Sequence, residues 1–381
     1  MADTVKAALM LGPGRMGMGE FPYPSPQPGA VIVKMEMSGV CGTDKHTFEG
    51  RSKQYAGTEA ETDTPFPIIP GHENVGIVAE TGGRVLDFYG KELRPGDRIT
   101  WGPDLVCGKC WYCRNTFGYP WCESIKAYGN AFSSNDWPHL TGGWAEYMYL
   151  FPGTFIFKVP EAVTPEMAVM TEVFAVSYAV DKAKECYSLA SEGFGAGAAT
   201  IIQGVGPMGL MCLIKARILG AGDIIAIDKS PYRLAMAKKF GANYTINMDE
   251  ISKEDRLLFI KDLTDGRGAD LAVECAGSPH AFIEGLEMLR KGGTYIEAGN
   301  FVDTGETAIN VNRHITAKNV RLFGVTNHPF TGYGPSLKLM ERYADVFPFS
   351  EIVTHKYPIN RAEEGLKRSF EPDTMKVVIT P

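Results

Sequence analysis

Long apolar runs are missing from this chain. A bilayer span needs ~18 consecutive apolar residues. The best candidates, Val173–Val180 and the stretch ending at Ile214, stop short or are interrupted by glycine. Positive charge is also scarce: 38 Lys and Arg face 45 Asp and Glu, for a net charge of −7. That balance excludes a protein held on nucleic acid by bulk charge, which would show a basic patch. Met1–Leu11 carries one Lys, one Asp and a short apolar run, so it does not read as a signal peptide. No internal repeat or low-complexity tract stands out. The expectation is a soluble, cytoplasmic protein with neither membrane nor nucleic acid as partner.

What is present suffices for folded domains. At roughly 150 residues per domain, 381 residues make two domains or three. Apolar residues are 44% and charged residues 22%, a ratio that excludes global disorder. Eight cysteines without a secretory leader read as metal or redox residues before disulfides.

The texture changes once along the chain. Residues 21–28 alternate proline with other residues, which bars a helix and predicts an extended linker. Val31–Met37 and Val75–Glu80 read as strands. Up to about Pro160 the short apolar runs broken by Gly and Pro predict an irregular β-rich region. Thr164–Ala183 has helical periodicity. Strands are then predicted at Thr200–Gln203, Asp223–Asp228, Tyr244–Ile246, Leu271–Glu274, Thr294–Ala298 and Val320–Val325. Helices are predicted at Pro207–Gly220, Pro231–Phe240 and His280–Leu289. Alternation at this pitch predicts a doubly wound parallel sheet, so the fold class is α/β.

Gly204-Val205-Gly206-Pro207-Met208-Gly209 lies between a β-run and an apolar helix. The first glycine allows the tight turn, the second lets a pyrophosphate approach the backbone, and the third lets helix and strand pack closely. Asp228 ends the next strand, 19 residues past Gly209, where an acid accepts from an adenosine ribose and repels a 2′-phosphate. NAD is therefore favoured over NADP. Gly12-Pro13-Gly14-Arg15-Met16-Gly17 fits the same pattern, but the proline run after it forbids the required helix.

Cys107, Cys110, Cys113 and Cys122 place four thiols within 16 residues. One loop can then wrap a tetrahedral Zn²⁺ with every position closed to substrate. Two disulfides, an iron–sulfur cluster or a nucleic-acid knuckle are the alternatives. The compartment opposes the first, and a loop carrying only Lys109 and Arg114 among its cations opposes the last. Cys41, with Thr43, Asp44 and His46 close behind, and His72-Glu73 are weak signals alone: a small core cysteine and a turn histidine would serve as well.

Taken with the glycine-rich turn and the four-Cys loop, these motifs resemble the zinc-dependent medium-chain alcohol and polyol dehydrogenases, over essentially the whole chain and in the family's order. The resemblance implies a GroES-like catalytic domain at 1–173, a Rossmann NAD-binding domain at 174–323, and a return to the first domain at 324–381. It implies two Zn²⁺ per chain, one structural on the four cysteines and one catalytic on Cys41, His72 and Glu172. The alcohol-type enzymes have Cys at the third position and the polyol type Glu; the neighbouring Thr171 serves poorly. Zinc as a Lewis acid lowers the pKa of an alcohol, whose hydride passes to NAD. By the same resemblance Thr43 touches the substrate oxygen, His46 relays the proton to solvent, Asp44 orients His72, and Glu73 is an inner carboxylate able to approach the metal. Arg233 sits beside the adenosine ribose and Lys376 on the pyrophosphate.

The chain departs from the family in two places. Gly42 replaces the alcohol-type Arg, and the loop after Cys113 is one residue longer. Cys186, Cys212 and Cys275 match nothing and read as core residues. The implied substrate is a primary or secondary alcohol or polyol, with segments around Thr43, Phe48, Trp101, Tyr128 and Asn300, and more weakly Trp137 and Trp144, lining its pocket. The implied assembly is a homotetramer, with a homodimer as alternative. A non-catalytic or aldehyde-disproportionating relative of the same fold is the other functional reading.

Overall fold

Val31–Gly39 carries two charges, Lys34 and Glu36, and neither reaches the core: Lys34 is exposed, and Glu36 is half-buried and paired with Arg98 at 2.7 Å. The other seven residues are buried, as in a strand covered on most of both faces. In the computed structural model, which describes residues 4–51, 53–54, 61–116, 121–184, 194–327 and 329–381, this strand is central to a seven-stranded sheet. The order is Ile156–Lys158, Arg98–Trp101, Glu73–Thr81, Val31–Gly39, Lys376–Thr380, Val353–Pro358, and Tyr147–Leu150 also pairs with Val31–Gly39. The sheet belongs to a unit formed by Met1–Ala175 with Pro329–Pro381. The C-terminal segment enters it because Lys376–Thr380 pairs antiparallel with Val31–Gly39.

The second unit, Val176–His328, is a six-stranded sheet, parallel at every pairing. Its order is Tyr244–Asn247, Ile224–Asp228, Thr200–Gln203, Ala269–Glu274, Leu289–Glu297, Arg321–Gly324. All four residues of Thr200–Gln203 and all five of Ile224–Asp228 are buried, which is why they read as continuous apolar runs without alternation. Chain order reverses between Thr200–Gln203 and Ala269–Glu274, and ligands of such sheets bind at the strands' carboxyl ends beside that switch.

The structure corrects the sequence reading in three places. Thr164–Ala183 is not one helix but Pro165–Ala168, Thr171–Val176 and a 3₁₀ segment Ser177–Lys184. The Thr171 hydroxyl donates to the Ala168 carbonyl at 2.7 Å, a local bond that competes with the helix at the break. A helix at Lys253–Leu263 was not expected; it buries only Arg256 and Ile260, too thin a stripe to show as periodicity. Its signal was the cap, Ser252 accepting from the Asp255 N–H at 3.1 Å. In agreement with the sequence reading, no helix follows the other glycine-rich match: Gly12 and Gly14 belong to an antiparallel hairpin, Thr4–Gly12 against Arg15–Pro22. Trp101, Tyr128 and Trp144 are fully buried in the core and cannot line an open pocket, whereas Trp137 is half exposed. Cys186 lies outside the described residues. Among those residues no helix is long and apolar enough to cross a membrane.

Candidate active site and metal centre

Strand register brings Cys41 and His72 together. Gly39 pairs with Glu73, so Cys41, two residues beyond one strand, and His72, one residue before the other, reach the same sheet edge. Cys41 is extended and caps the helix Gly42–Phe48. Asp44 ties the two turns: one oxygen accepts the Cys41 N–H at 2.8 Å and the other the Gly71 N–H at 3.4 Å. Asp44 reaches His72 through the backbone of Gly71 and through charge; the buried His72 Nδ1 has no hydrogen-bond partner. Glu172, in the first turn of Thr171–Val176, is also buried.

Burial alone would push the His72 imidazole to lower pKa. The negative charge of Cys41, which hydrogen-bonds to it, and of Asp44 and Glu172 overrides burial and raises it well above the usual value. A buried imidazole among one thiol and two carboxyls is a donor set suited to a divalent cation, which would take the place of the proton. Thr43 Oγ1 lies 3.9 Å from Cys41 Sγ. His46, at the far end of the short helix, is partly buried; burial first, then the Arg51 and Lys45 charges, lower its pKa, while Glu49 at 3.9 Å opposes them.

Lys376 has a partner that the sequence did not reveal. Its ammonium is 2% exposed and lies 2.8 and 2.5 Å from the two oxygens of Glu73, itself 1% exposed, and it donates to the Val40 carbonyl at 3.2 Å. The ammonium implied for a pyrophosphate is therefore engaged by the carboxylate beside His72. Tyr333 was also missed. It is fully buried, and burial first, then the charges of Glu172, Asp104 and Glu73, push its phenol up. No motif marks it: the implied return of 324–381 to the first domain places residue 333 in this unit but singles out no side chain there.

The four cysteines form the tightest ligand group. Their sulfurs all lie within 4.8 Å of one another, and Cys107 and Cys113 are 3.9 Å apart. Zinc–sulfur bonds of about 2.3 Å in a tetrahedron imply sulfurs roughly 3.8 Å apart. The Cys107 N–H donates to Cys122 Sγ at 3.2 Å, and the Cys110 and Cys113 N–H groups donate to Cys107 and Cys110 Sγ at 3.4 Å. Backbone donors, Lys109 first and then Cys110, hold the Cys107 thiol down at about 6. All four are free thiols, so disulfides are set aside. Among the described residues this is the only group of three or more such ligands packed so closely; Cys41, His72 and Glu172 are gathered more loosely.

In the second unit the glycine-rich turn has the form its spacing predicts. Gly206 caps the helix Pro207–Ile218, in which Met208 and Gly209 follow the proline. A Cβ on Gly209 would stand 1.9 Å from the Gly204 carbonyl oxygen, so a larger residue would force helix and strand apart. A Cβ on Gly206 would meet only Arg233 Nη1, at 3.9 Å, which leaves that face open beside a guanidinium. Asp228 ends its strand as expected, yet both oxygens already accept backbone N–H groups, of Val205 at 2.8 Å and Ser230 at 2.9 Å. It thus also shapes the turn. Cys212 and Cys275 lie 4.0 Å apart behind it.

A parallel sheet with this turn at its switch point marks a dinucleotide-binding unit. Two family models match the chain, an alcohol dehydrogenase GroES-like domain over residues 27–161 and a zinc-binding dehydrogenase over 207–341. A 5-exo-hydroxycamphor dehydrogenase from Pseudomonas putida is 31% identical over 95% of this chain and 94% of its own. An L-threonine 3-dehydrogenase from Thermococcus kodakarensis is 32% identical over 100% and 99%. The solved structure of an alcohol dehydrogenase from Thermotoga maritima superposes with a TM-score of 0.89 at 32% identity, covering 99% of each chain. The chain belongs to the zinc-dependent medium-chain alcohol and polyol dehydrogenases, a family of hydride-transferring oxidoreductases.

Proposed function

We propose that this enzyme oxidises a secondary alcohol or polyol with NAD, using a catalytic zinc on Cys41, His72 and Glu172 and a structural zinc on Cys107, Cys110, Cys113 and Cys122. The first unit with its C-terminal return is the catalytic domain, the second binds the cofactor, and the working assembly is a homotetramer. The observation that carries this reading is His72, a buried imidazole with an unpartnered nitrogen coupled to one thiol and two carboxyls.

Zinc in that set would supply Lewis acidity at the substrate oxygen, and NAD would supply the hydride acceptor. The chain's own residues do the rest. Asp44 fixes the Cys41 and Gly71 turns and so the distance between thiolate and imidazole. Thr43, beside Cys41, accepts the proton of the substrate hydroxyl while passing on its own. His46 takes that proton outward, and its lowered pKa keeps it a base below the usual histidine range. Lys376 pairs with Glu73 and neutralises it.

Activity should track this assignment. A screen of polyols, secondary alcohols, L-threonine and a terpene alcohol against NAD and NADP should show NAD-dependent turnover of at least one class. Metal analysis should find about two zincs per chain. No turnover with any of them, or a preparation active with no zinc at all, overturns the reading.

His46→Ala should slow turnover by about 10²-fold at acidic pH, where hydroxide cannot replace the relay, and by less as pH rises. The pH profile of kcat checks this, and a loss equal at all pH values removes His46 from the relay. Asp228→Ala should raise the ratio of kcat/KM for NADP to that for NAD at least about tenfold, or ~1.4 kcal/mol. Affinity for both cofactors should fall as well, because Val205 and Ser230 lose their acceptor. An unchanged ratio would count against the ribose role.

A further inference from the structure

Two loops leave the cofactor unit's sheet at the edge that carries the glycine-rich turn, and a pair of acids joins them. Glu274 ends Ala269–Glu274 and is fully buried. Its Oε1 accepts the N–H groups of Ala276 at 2.7 Å and Gly277 at 2.9 Å. Glu297 ends Leu289–Glu297, and its Oε1 accepts the Asn300 N–H at 3.1 Å and the Asn300 amide at 2.9 Å. The same Asn300 amide lies 3.4 Å from Glu274 Oε2, and Thr304 donates to Asn300 Oδ1 at 2.9 Å. A Cβ on Gly299 would stand 2.2 Å from Glu274 Oε2, so the second loop closes directly over the first acid. The loop after Glu274 in turn supports the glycine-rich turn: a Cβ on Gly204 would stand 2.7 Å from the Ala276 backbone.

The two carboxyls meet at this one Asn300 amide, and Glu297 Oε2 is buried with no hydrogen-bond partner. Two ionised carboxyls gathered this closely repel, and one O–H between them removes the repulsion and supplies the donor that is missing. Nothing nearby neutralises the pair instead. Neither carboxyl is ion-paired with Lys or Arg among the described residues. The titratable neighbours are Cys275, the first residue of the loop after Glu274, Tyr295 beside Glu297, and Cys212 on the helix after the glycine-rich turn. From Thr200–Gln203 the facing residue is the neutral Gln203. The helix Pro279–Met288 commits its acids elsewhere, Glu284 to Arg256 and Glu287 to Lys253. Arg321 on the outer strand donates to the Gly292 carbonyl at the sheet's other end, and Asp303, exposed in the second loop, accepts the Gly305 N–H. Burial first, then the Glu297 charge, push the Glu274 carboxyl up to about 8.

We propose that Glu274 and Glu297 are positioning residues that share one proton and so hold segments 275–277 and 299–304 together, and that the nicotinamide cofactor binds tightly only while that proton is in place. The proposal rests on the reading of this unit as the cofactor domain. Losing the proton sets two like charges against each other in a buried site. The loops separate, and the support behind the glycine-rich turn loosens. In the Glu297→Gln variant the amide supplies a permanent donor of the same shape, and the switch is removed.

Titration of the whole enzyme with NADH, followed by its fluorescence from pH 6.5 to pH 9.5, tests this. For the natural protein, affinity should hold up to about pH 8 and then weaken by about tenfold for each further pH unit. For Glu297→Gln it should stay within about twofold throughout. Profiles that fall in parallel overturn the proposal while leaving the cofactor reading intact. NADH that fails to bind either protein at pH 6.5 overturns the cofactor reading and the proposal with it. If Glu297→Gln does not fold, Glu274→Gln carries the same test, because its amide donates towards Glu297 and its carbonyl still accepts from Ala276 and Gly277.

Thermal unfolding gives an independent measure. An acid whose folded pKa lies above its unfolded value costs stability as pH rises between the two. The natural protein should therefore lose melting temperature relative to the variant between about pH 5 and pH 8 and run parallel to it above. A constant offset across that range shows that the pair does not titrate and overturns the proposal.

Discussion

Cys41→Ser is expected to lower kcat/KM by at least about 10³-fold while NADH affinity stays within about twofold. Few substitutions separate chemistry from folding so cleanly. Cys41 caps a short helix in extended conformation, a role serine fills at least as well. The Asp44 carboxylate grips the Cys41 backbone N–H, not its side chain, so the turn keeps its shape. What disappears is the thiolate: a serine hydroxyl does not ionise near neutral pH and is a poor zinc ligand. His72 then loses the partner that does most to hold its charge, and the proposed catalytic metal loses one of three ligands. Steady-state kinetics, NADH titration and metal content check this together. Zinc should fall from about two per chain to about one, because the four-cysteine loop does not share this thiol. Turnover within tenfold of the natural protein would remove Cys41 from the metal. Loss of NADH binding would contradict the assignment of chemistry and cofactor to separate units.

Lys376→Met should destabilise the fold by about 3–5 kcal/mol, the usual cost of leaving one member of a buried ion pair without its partner. Lys376 and Glu73 are 2% and 1% exposed, so water cannot take the place of the lost ammonium. The ammonium also holds the Val40 carbonyl, one residue before Cys41, so the loss falls where the C-terminal strand meets the metal edge. Removing both charges with Glu73→Leu and Lys376→Met should recover most of the loss, since the penalty lies in the stranded carboxylate more than in the missing bond. Urea denaturation at unchanged m-value measures both variants. A single variant within ~1 kcal/mol of the natural protein would show that Glu73 finds another partner or a proton.

Much of this site was legible because some chemistry is written in contiguous residues. Cys107 to Cys122 close around one point by spacing alone, and the sulfurs converge as that spacing predicts. Gly204 to Gly209 needs only its own strand and helix to make the turn. Other features were not legible, since their partners are far apart in the chain. Glu73 and Lys376 are 303 residues apart, and only the pairing of the last strand with Val31–Gly39 joins them. Tyr333 reaches the surroundings of Glu172 by the same return of the chain. Trp101 and Tyr128 looked like pocket walls because aromatic residues serve both roles, and packing made them core.

The sequence by itself determined the α/β class, the alternation that builds the parallel sheet, the four-thiol loop and the dinucleotide turn, because each depends on periodicity or spacing within one short segment. Only the tertiary structure decided which charges meet. It brought Cys41 beside His72 through strand register, gave Glu73 its lysine, committed both oxygens of Asp228 to the backbone, and set Glu274 against Glu297. The reason is physical: the charge state of a buried group depends on everything within a few ångströms of it, and most of those neighbours are distant in the chain.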